Sequence, residues 1–111
     1  MTRIRLQVLS GLRQGEVFES AEDRITIGRD IDNQIRLPDD LVSRHHAVLL
    51  RKSGDYYLRD FDSTNGTQVN NKRITETILH NGDVCHIGFV EVRFERLPAS
   101  PLPDQASQRP G

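Results

Sequence analysis

Val90-Glu91-Val92-Arg93-Phe94-Glu95 alternates apolar and charged residues without a break. Successive side chains of a strand point to opposite faces, so this stretch reads as a strand with one buried and one wet side. Working outward, the same period of two recurs along the chain. Ile4, Leu6 and Val8 alternate with Arg3, Arg5 and Gln7; Ile25 and Ile27 flank Thr26; Ile35 and Leu37 flank Arg36. No segment carries a sustained helical stripe of apolar residues, and the segment 37–50 is interrupted by Pro38. Turn signals punctuate the runs: Ser10-Gly11, Gln14-Gly15, Ser53-Gly54-Asp55, Asn65-Gly66, Asn70-Asn71 and Asn81-Gly82. The expectation is all-β, an antiparallel sandwich. Its strands are expected at roughly 3–9, 16–19, 24–28, 34–37, 46–51, 55–60, 67–70, 72–74, 83–88 and 90–96.

Composition agrees with one domain. Leu, Ile, Val and Phe supply 31 of the 111 residues, above the level of roughly 20% below which a chain cannot build a core. The formal net charge is −1, which excludes a wholly basic nucleic-acid coat and an acidic tail protein. Tyr56, Tyr57 and the Phe residues show no interleaving with basic residues, so no nucleic-acid partner is expected. The single Cys85 cannot form an internal disulfide and makes a zinc site improbable; a reducing, cytoplasmic setting is expected. No apolar run approaches a membrane span, and the opening Met1-Thr2-Arg3-Ile4-Arg5 has no signal-peptide character, so no membrane partner is expected. After Leu97 the composition shifts to Pro98, Pro101, Pro103 and Pro110 among small polar residues. Residues 1–97 therefore read as a β domain and 98–111 as a flexible tail or linker, which would make the chain part of a longer protein.

Four loop or strand-end segments carry chemistry. They are Ile27-Gly28-Arg29-Asp30, Val42-Ser43-Arg44-His45-His46-Ala47, the stretch from Asp60 through Asn70, and the stretch from Leu79 through Gly88. Arg29 and Arg44 offer permanently charged planar forks that match phosphate geometry. Ser43 and Thr64 offer hydroxyls, and Asn65 offers both a donor and an acceptor, which suits a peptide main chain. Donors without an activating base describe binding rather than turnover. Ser43 and His46 with Asp60 or Asp83 could imitate a hydrolytic triad, yet no Gly-x-Ser-x-Gly elbow surrounds Ser43. Asp60, Asp62 and Thr64 imitate the start of a calcium loop, but the glycine and terminal glutamate it requires are Asn65 and Asn71. The four histidines show no metal-ligand spacing. Neither a metal, a cofactor nor an enzymatic activity is expected.

Gly28-Arg29, Ser43-Arg44-His45-His46-Ala47, Ser63-Thr64-Asn65-Gly66-Thr67-Gln68-Val69-Asn70 and Asn81-Gly82-Asp83 with His86-Ile87-Gly88 stand in one order along the chain. In that order and approximate spacing they resemble the forkhead-associated (FHA) domain family, phosphothreonine-peptide-binding modules, with one extra residue in the last block. The resemblance covers residues 3–96. It implies a sandwich of about ten or eleven strands with binding loops at one end. It also implies roles. Arg29 would pair with the phosphate, Ser43 and Thr64 would donate hydroxyls, Arg44 would add a second cation, and Asn65 would hold the peptide main chain. His46 would brace the Ser43 loop from beneath, and Gly28 and Gly66 would supply tight backbone geometry. The implied partner is a phosphothreonine-containing protein or peptide, hence a Ser/Thr kinase upstream, and the implied function is a phosphorylation-dependent signalling adaptor. The alternative is an FHA-like scaffold that binds proteins independently of phosphate. His45, on the opposite side of a strand from His46, is expected to be exposed. Ligand preference would lie in the loops 30–34, 38–42 and 61–62.

Overall fold

The computed structural model describes residues 3–97, so the expected tail 98–111 lies outside the described residues. Eleven strands follow in chain order: β1 (Arg3–Val8), β2 (Val17–Ser20), β3 (Arg24–Gly28), β4 (Ile35–Arg36), β5 (Ala47–Lys52), β6 (Asp55–Asp60), β7 (Thr67–Val69), β8 (Lys72–Ile74), β9 (Glu76–Leu79), β10 (Val84–Ile87) and β11 (Val90–Leu97). They form a six-stranded sheet, β2-β1-β11-β10-β7-β8, and a five-stranded sheet, β4-β3-β5-β6-β9.

The alternation read in the sequence is what builds the core. Ile4, Leu6 and Val8 of β1 and Val90, Val92 and Phe94 of β11 turn inward, and Ile25, Ile27, Leu49, Tyr56 and Leu58 meet them from the second sheet. The rings of Tyr56 and Phe94 pack tilted at 5.6 Å between centroids. The complementary positions face water. Arg5 lies between Glu19 of β2 and Glu95 of β11, at 3.1 and 3.5 Å, a half-exposed cluster that contributes little stability. Cys85 is buried among apolar side chains, and burial, with Asp83 nearby, pushes its thiol up to about 12, so it is inert as a nucleophile.

Three tight turns link consecutive strands. Ser53-Gly54 and Asn70-Asn71 have positive φ at both residues, the two-residue connection whose twist matches antiparallel strands. Gly88-Phe89 joins β10 to β11, with only the glycine at positive φ.

Two features depart from expectation. The sandwich is not wholly antiparallel, because β3 and β4 run parallel, with Ile27 opposite Ile35 and Gly28 opposite Arg36. The loop between them curls on itself: the Asn33 Nδ2 amide donates to the carbonyls of Asp30 and Arg44, each at 2.8 Å. The chain thus re-enters the sheet edge travelling as β3 does. The second departure is β9, which the sequence reading leaves out. Its inward positions are Thr77 and Leu79, opposite Leu58 and Tyr56, so a polar residue occupies a core-facing slot and hides the alternation.

Candidate functional site

The loops after β3, before β5 and before β7 converge at one end of the sandwich. Backbone bonds tie them together first. The Arg29 N–H donates to the Ser43 carbonyl at 3.0 Å, Asp30 N–H to the Arg44 carbonyl at 3.2 Å, and His46 N–H to the Ile27 carbonyl at 2.9 Å. Gly28 makes this approach feasible, since a Cβ there would collide with the Arg44 carbonyl oxygen. Gly66 sits at φ +85°, and the guanidinium of Arg73 lies against the face a Cβ would occupy.

On this base the expected binding residues are brought together. Arg29 is exposed, and its Nε donates to the Val42 carbonyl at 3.0 Å. That bond fixes the guanidinium and leaves both terminal nitrogens for a ligand. Ser43 Oγ accepts the Thr64 N–H at 3.1 Å. With that lone pair engaged, the hydroxyl hydrogen is free to donate outward. Asn65 Nδ2 donates to the Leu41 carbonyl at 2.9 Å, so its amide oxygen remains to accept a peptide N–H. Thr64 is exposed beside it. Arg44 is exposed as well; its carbonyl anchors the loop, while its side chain has no hydrogen-bond or ion-pair partner among the described residues.

The charge environment is uneven. Arg5, Arg13 and Arg51 each have a carboxylate at 2.9–3.1 Å. Among the described residues, no carboxylate lies within 4.0 Å of the guanidinium nitrogens of Arg29, Arg36 or Arg44. Arg36, which the sequence reading does not single out, donates its Nε to the Arg29 carbonyl at 3.1 Å. The Arg29 guanidinium, unneutralised and tied to the residue before Ser43, thus stands at the loop that carries a free hydroxyl donor, the chemistry of an anion site. Arg24, Arg73, Arg93 and Arg96 likewise show no carboxylate within 4.0 Å among the described residues, so it is the placement of Arg29 that counts.

Beneath the donors lies a buried hydrogen-bonded layer. His46 is fully buried (0% exposed). Its Nδ1 accepts the Ser43 N–H at 3.0 Å, and its Nε2 lies 2.8 Å from the Gly66 carbonyl oxygen. Only the neutral ring protonated at Nε2 satisfies both contacts. In that tautomer the Gly88 N–H, 3.2 Å from Nε2, is instead satisfied by the Gly66 carbonyl at 3.1 Å. Burial pushes the His46 pKa down from 6.5, and the bond to Gly66 and the charge of Asp60 offset this only in part. Asp60 is the second anchor, a role that no sequence motif singles out. It accepts the hydroxyls of Ser63 and Thr67, each at 2.6 Å, and the Ser63 N–H at 3.1 Å. Burial pushes its carboxyl up, but these bonds outweigh burial and hold it below its ordinary range. Ser63 Oγ in turn accepts the Gly66 N–H at 3.0 Å. Ser63 thereby shapes the loop through its side chain, whereas Asp62 makes no side-chain hydrogen bond among the described residues and adopts a positive φ of 52°.

The catalytic imitations do not assemble. His46 Nδ1 takes the backbone N–H of Ser43, and Ser43 Oγ is bonded to Thr64, so no imidazole activates the hydroxyl. Asp60, the first ligand of the would-be calcium loop, spends its carboxylate on Ser63 and Thr67. His45 is exposed as expected, and its Nε2 meets both carboxylate oxygens of Asp32 at 3.1 and 3.2 Å. Asp30 joins these two within 4.8 Å, a grouping hidden in the sequence because two loops supply it.

The FHA domain family model matches residues 25–88. The chain is similar to the ABC transporter ATP-binding/permease protein Rv1747 of Mycobacterium tuberculosis, 46% identical over 84 residues, covering 75% of this chain and 10% of that protein. It is similar to the glycogen accumulation regulator GarA of Mycolicibacterium smegmatis, 35% identical over 95 residues, covering 86% of this chain and 60% of that protein. It therefore spans between a tenth and three-fifths of the length of these relatives. Among solved structures it is similar to one from a structural and functional analysis of phosphothreonine-dependent FHA domain interactions. That likeness has a TM-score of 0.77 at 37% identity and covers 90% of this chain and 99% of the other. With the converging loops, the eleven-stranded sandwich and the buried histidine described above, and the family model matching more than half of its length, the chain belongs to the FHA domain family.

Proposed function

We propose that this chain is a non-catalytic module that binds phosphothreonine in an extended segment of a partner protein and so acts as a phosphorylation-dependent adaptor downstream of a Ser/Thr kinase. One observation carries this reading. The Ser43 hydroxyl has its lone pair occupied by Thr64 N–H and its hydrogen free, beside an Arg29 guanidinium pinned through Nε and unpaired with any described carboxylate. A phosphate monoester brings about −1.5 to −2 charge and strong acceptor oxygens at neutral pH. Arg29 pairs with those oxygens, Ser43 and Thr64 donate to them, Arg44 adds charge, and Asn65 accepts a main-chain N–H of the ligand. Each charge-assisted bond contributes about 1.5–3 kcal/mol. An unphosphorylated threonine forfeits these bonds, which makes phosphorylation the switch.

The family kinship and the phosphothreonine-dependent interactions of a relative at 37% identity support the reading. The absence of a base on Ser43 supports a binding rather than an enzymatic role. The lone thiol of Cys85 suits a cytoplasmic setting. No helix among the described residues is long and apolar enough to cross a membrane. We place the module within residues 1–97 and read 98–111 as a flexible tail or linker.

Calorimetric titration with a phosphothreonine peptide and its unphosphorylated twin tests the proposal. The phosphopeptide binds, the twin does not, and Arg29→Ala weakens phosphopeptide binding by about a hundredfold or more, the loss of at least one charge-assisted pair. Equal binding of the two peptides favours the phosphate-independent scaffold and sinks this reading.

A further inference from the structure

Three histidines, His45, His80 and His86, each meet a carboxylate, and they do so differently. His80 Nδ1 lies 3.8 Å from one oxygen of Asp83, and His86 Nε2 lies 3.4 Å from one oxygen of Glu91. Asp83 is already engaged by the His80 N–H and the Asn70 amide, at 2.8 and 3.0 Å. His45 Nε2 instead faces both oxygens of Asp32, at 3.1 and 3.2 Å, and the Asp30 carboxylate stands within 4.8 Å of both groups. Among the described residues this is the one grouping of three such donors.

Two connections supply it, and both are held in place. Asp30 and Asp32 stand in the loop after β3, and His45 in the segment before β5. The Asp30 N–H donates to the Arg44 carbonyl at 3.2 Å, and the Asn33 amide ties the Asp30 and Arg44 carbonyls together at 2.8 Å each. Asn33 is 7% exposed, and its Oδ1 is buried without a partner, an unused acceptor on the loop that carries both carboxylates. No Arg or Lys nitrogen lies within 4.0 Å of Asp30 or Asp32 among the described residues, so no permanent cation neutralises the pair.

The distances suit one ion. Donors about 2.0–2.1 Å from a common cation lie about 3.0–3.4 Å apart at octahedral or tetrahedral angles. The His45–Asp32 separations fall in that range, and rotation of the half-buried Asp30 side chain closes the third. Asp32 and His45 also line an open depression of about 550 Å³, which leaves room for water to complete the coordination. Arg24 lines it too and opposes a cation attracted by charge alone. The imidazole therefore decides affinity, and it favours Zn²⁺ or Ni²⁺ over the oxygen-seeking Mg²⁺ and Ca²⁺.

We propose that Asp30, Asp32 and His45 form a binding site for a divalent first-row transition cation, Zn²⁺ above all, which pins the loop after β3 to the segment carrying Ser43 and Arg44. The site adjoins the phosphate donors along the chain, at Arg29-Asp30 and Arg44-His45, but shares no residue with them. The inference therefore stands without the phosphothreonine reading.

The test titrates the chelator-treated whole chain with ZnCl₂ in phosphate-free buffer and follows it by calorimetry. One Zn²⁺ binds per chain, and the melting temperature rises with Zn²⁺ concentration. A large excess of Mg²⁺ does not displace it. His45→Ala and Asp32→Asn each weaken Zn²⁺ by at least about tenfold, since loss even of an outer-shell partner costs roughly 10–100-fold. Both residues are exposed, so the variants fold. Paramagnetic Co²⁺, standing in for Zn²⁺ on the unaltered chain, broadens the amides of 30–34 and 44–46 and spares those around His80 and His86. Absence of saturable Zn²⁺ binding overturns the proposal. Binding that survives His45→Ala, or that Mg²⁺ displaces, marks counterions around acidic residues and overturns it as well. Broadening centred on His80 or His86 does the same.

Discussion

The site has two layers that solve different problems. The outer layer, Arg29, Arg44, Thr64 and Asn65, is exposed or half-buried and makes few internal bonds: one from the Arg29 side chain, one from that of Asn65, and none from Arg44 among the described residues. The inner layer, His46, Asp60, Ser63 and Thr67, is hydrogen-bonded through nearly every polar atom and joins three loops. Internal bonds cost the outer donors their availability, and unmade bonds would cost the inner groups their burial. The difference teaches how a domain with a net charge of −1 can hold an anion. A few unneutralised cations suffice when something rigid beneath them prevents collapse onto nearby carboxylates.

The two layers should separate cleanly under mutation. His46→Ala strips the buried Ser43 N–H of its partner, takes one of the two donors from the Gly66 carbonyl and leaves a cavity, so unfolding free energy falls by about 3 kcal/mol or more. Chemical denaturation measures it, and an unchanged midpoint would break the distinction between layers.

Acid should act on the inner layer first. The folded-state pKa of His46 is depressed below 6.5, so the unfolded chain takes up protons more readily than the folded one. Its contribution is complete above pH 6.5 and is lost as pH falls from there towards the lowered folded value, with a slope of at most about 1.4 kcal/mol per pH unit. Asp60 adds a second loss as pH falls from its ordinary value of 3.8 to its lower folded value. Denaturation midpoints across this range check both, and replacing His46 by Gln should flatten the first step. A midpoint that rises on acidification from pH 6.5 would contradict the neutral state assigned to buried His46.

The smallest effect belongs to the outer layer. Asn65→Ala removes one neutral hydrogen bond to the ligand, weakening a phosphothreonine peptide by about fivefold, or about 1 kcal/mol, with the melting temperature little changed. Isothermal titration of the variant reads this directly, and unaltered affinity would remove Asn65 from the site.

The outer layer was legible in the sequence because loop donors with no core role stand out, and because Gly28-Arg29, Ser43-Arg44 and Thr64-Asn65 fall in family order. The inner layer was half legible. His46 reads as structural from its place in the Ser43 block, but Asp60 ends an ordinary strand, β6, and only the folded loop brings Ser63 and Thr67 onto its carboxylate. Asn33 and Arg36 were illegible for the same reason, since their partners are the backbone carbonyls of Asp30, Arg44 and Arg29. A backbone partner leaves no pattern of residue types. Most of the fold followed from the period of two, whereas β9 and the parallel β4 did not. Thr77 faces the core against Leu58, and β4 is only two residues long, so neither segment carries enough alternation to declare itself.

The most direct test is an amide shift map of the whole chain titrated with a phosphothreonine peptide. Perturbations are expected at Gly28, Arg29, Ser43, Arg44, Thr64, Asn65 and the Arg29 Nε–H, with the amides of β2 and β9 silent. Shifts centred on an outer sheet face or a sheet edge, with these loops unmoved, would contradict the placement of the site.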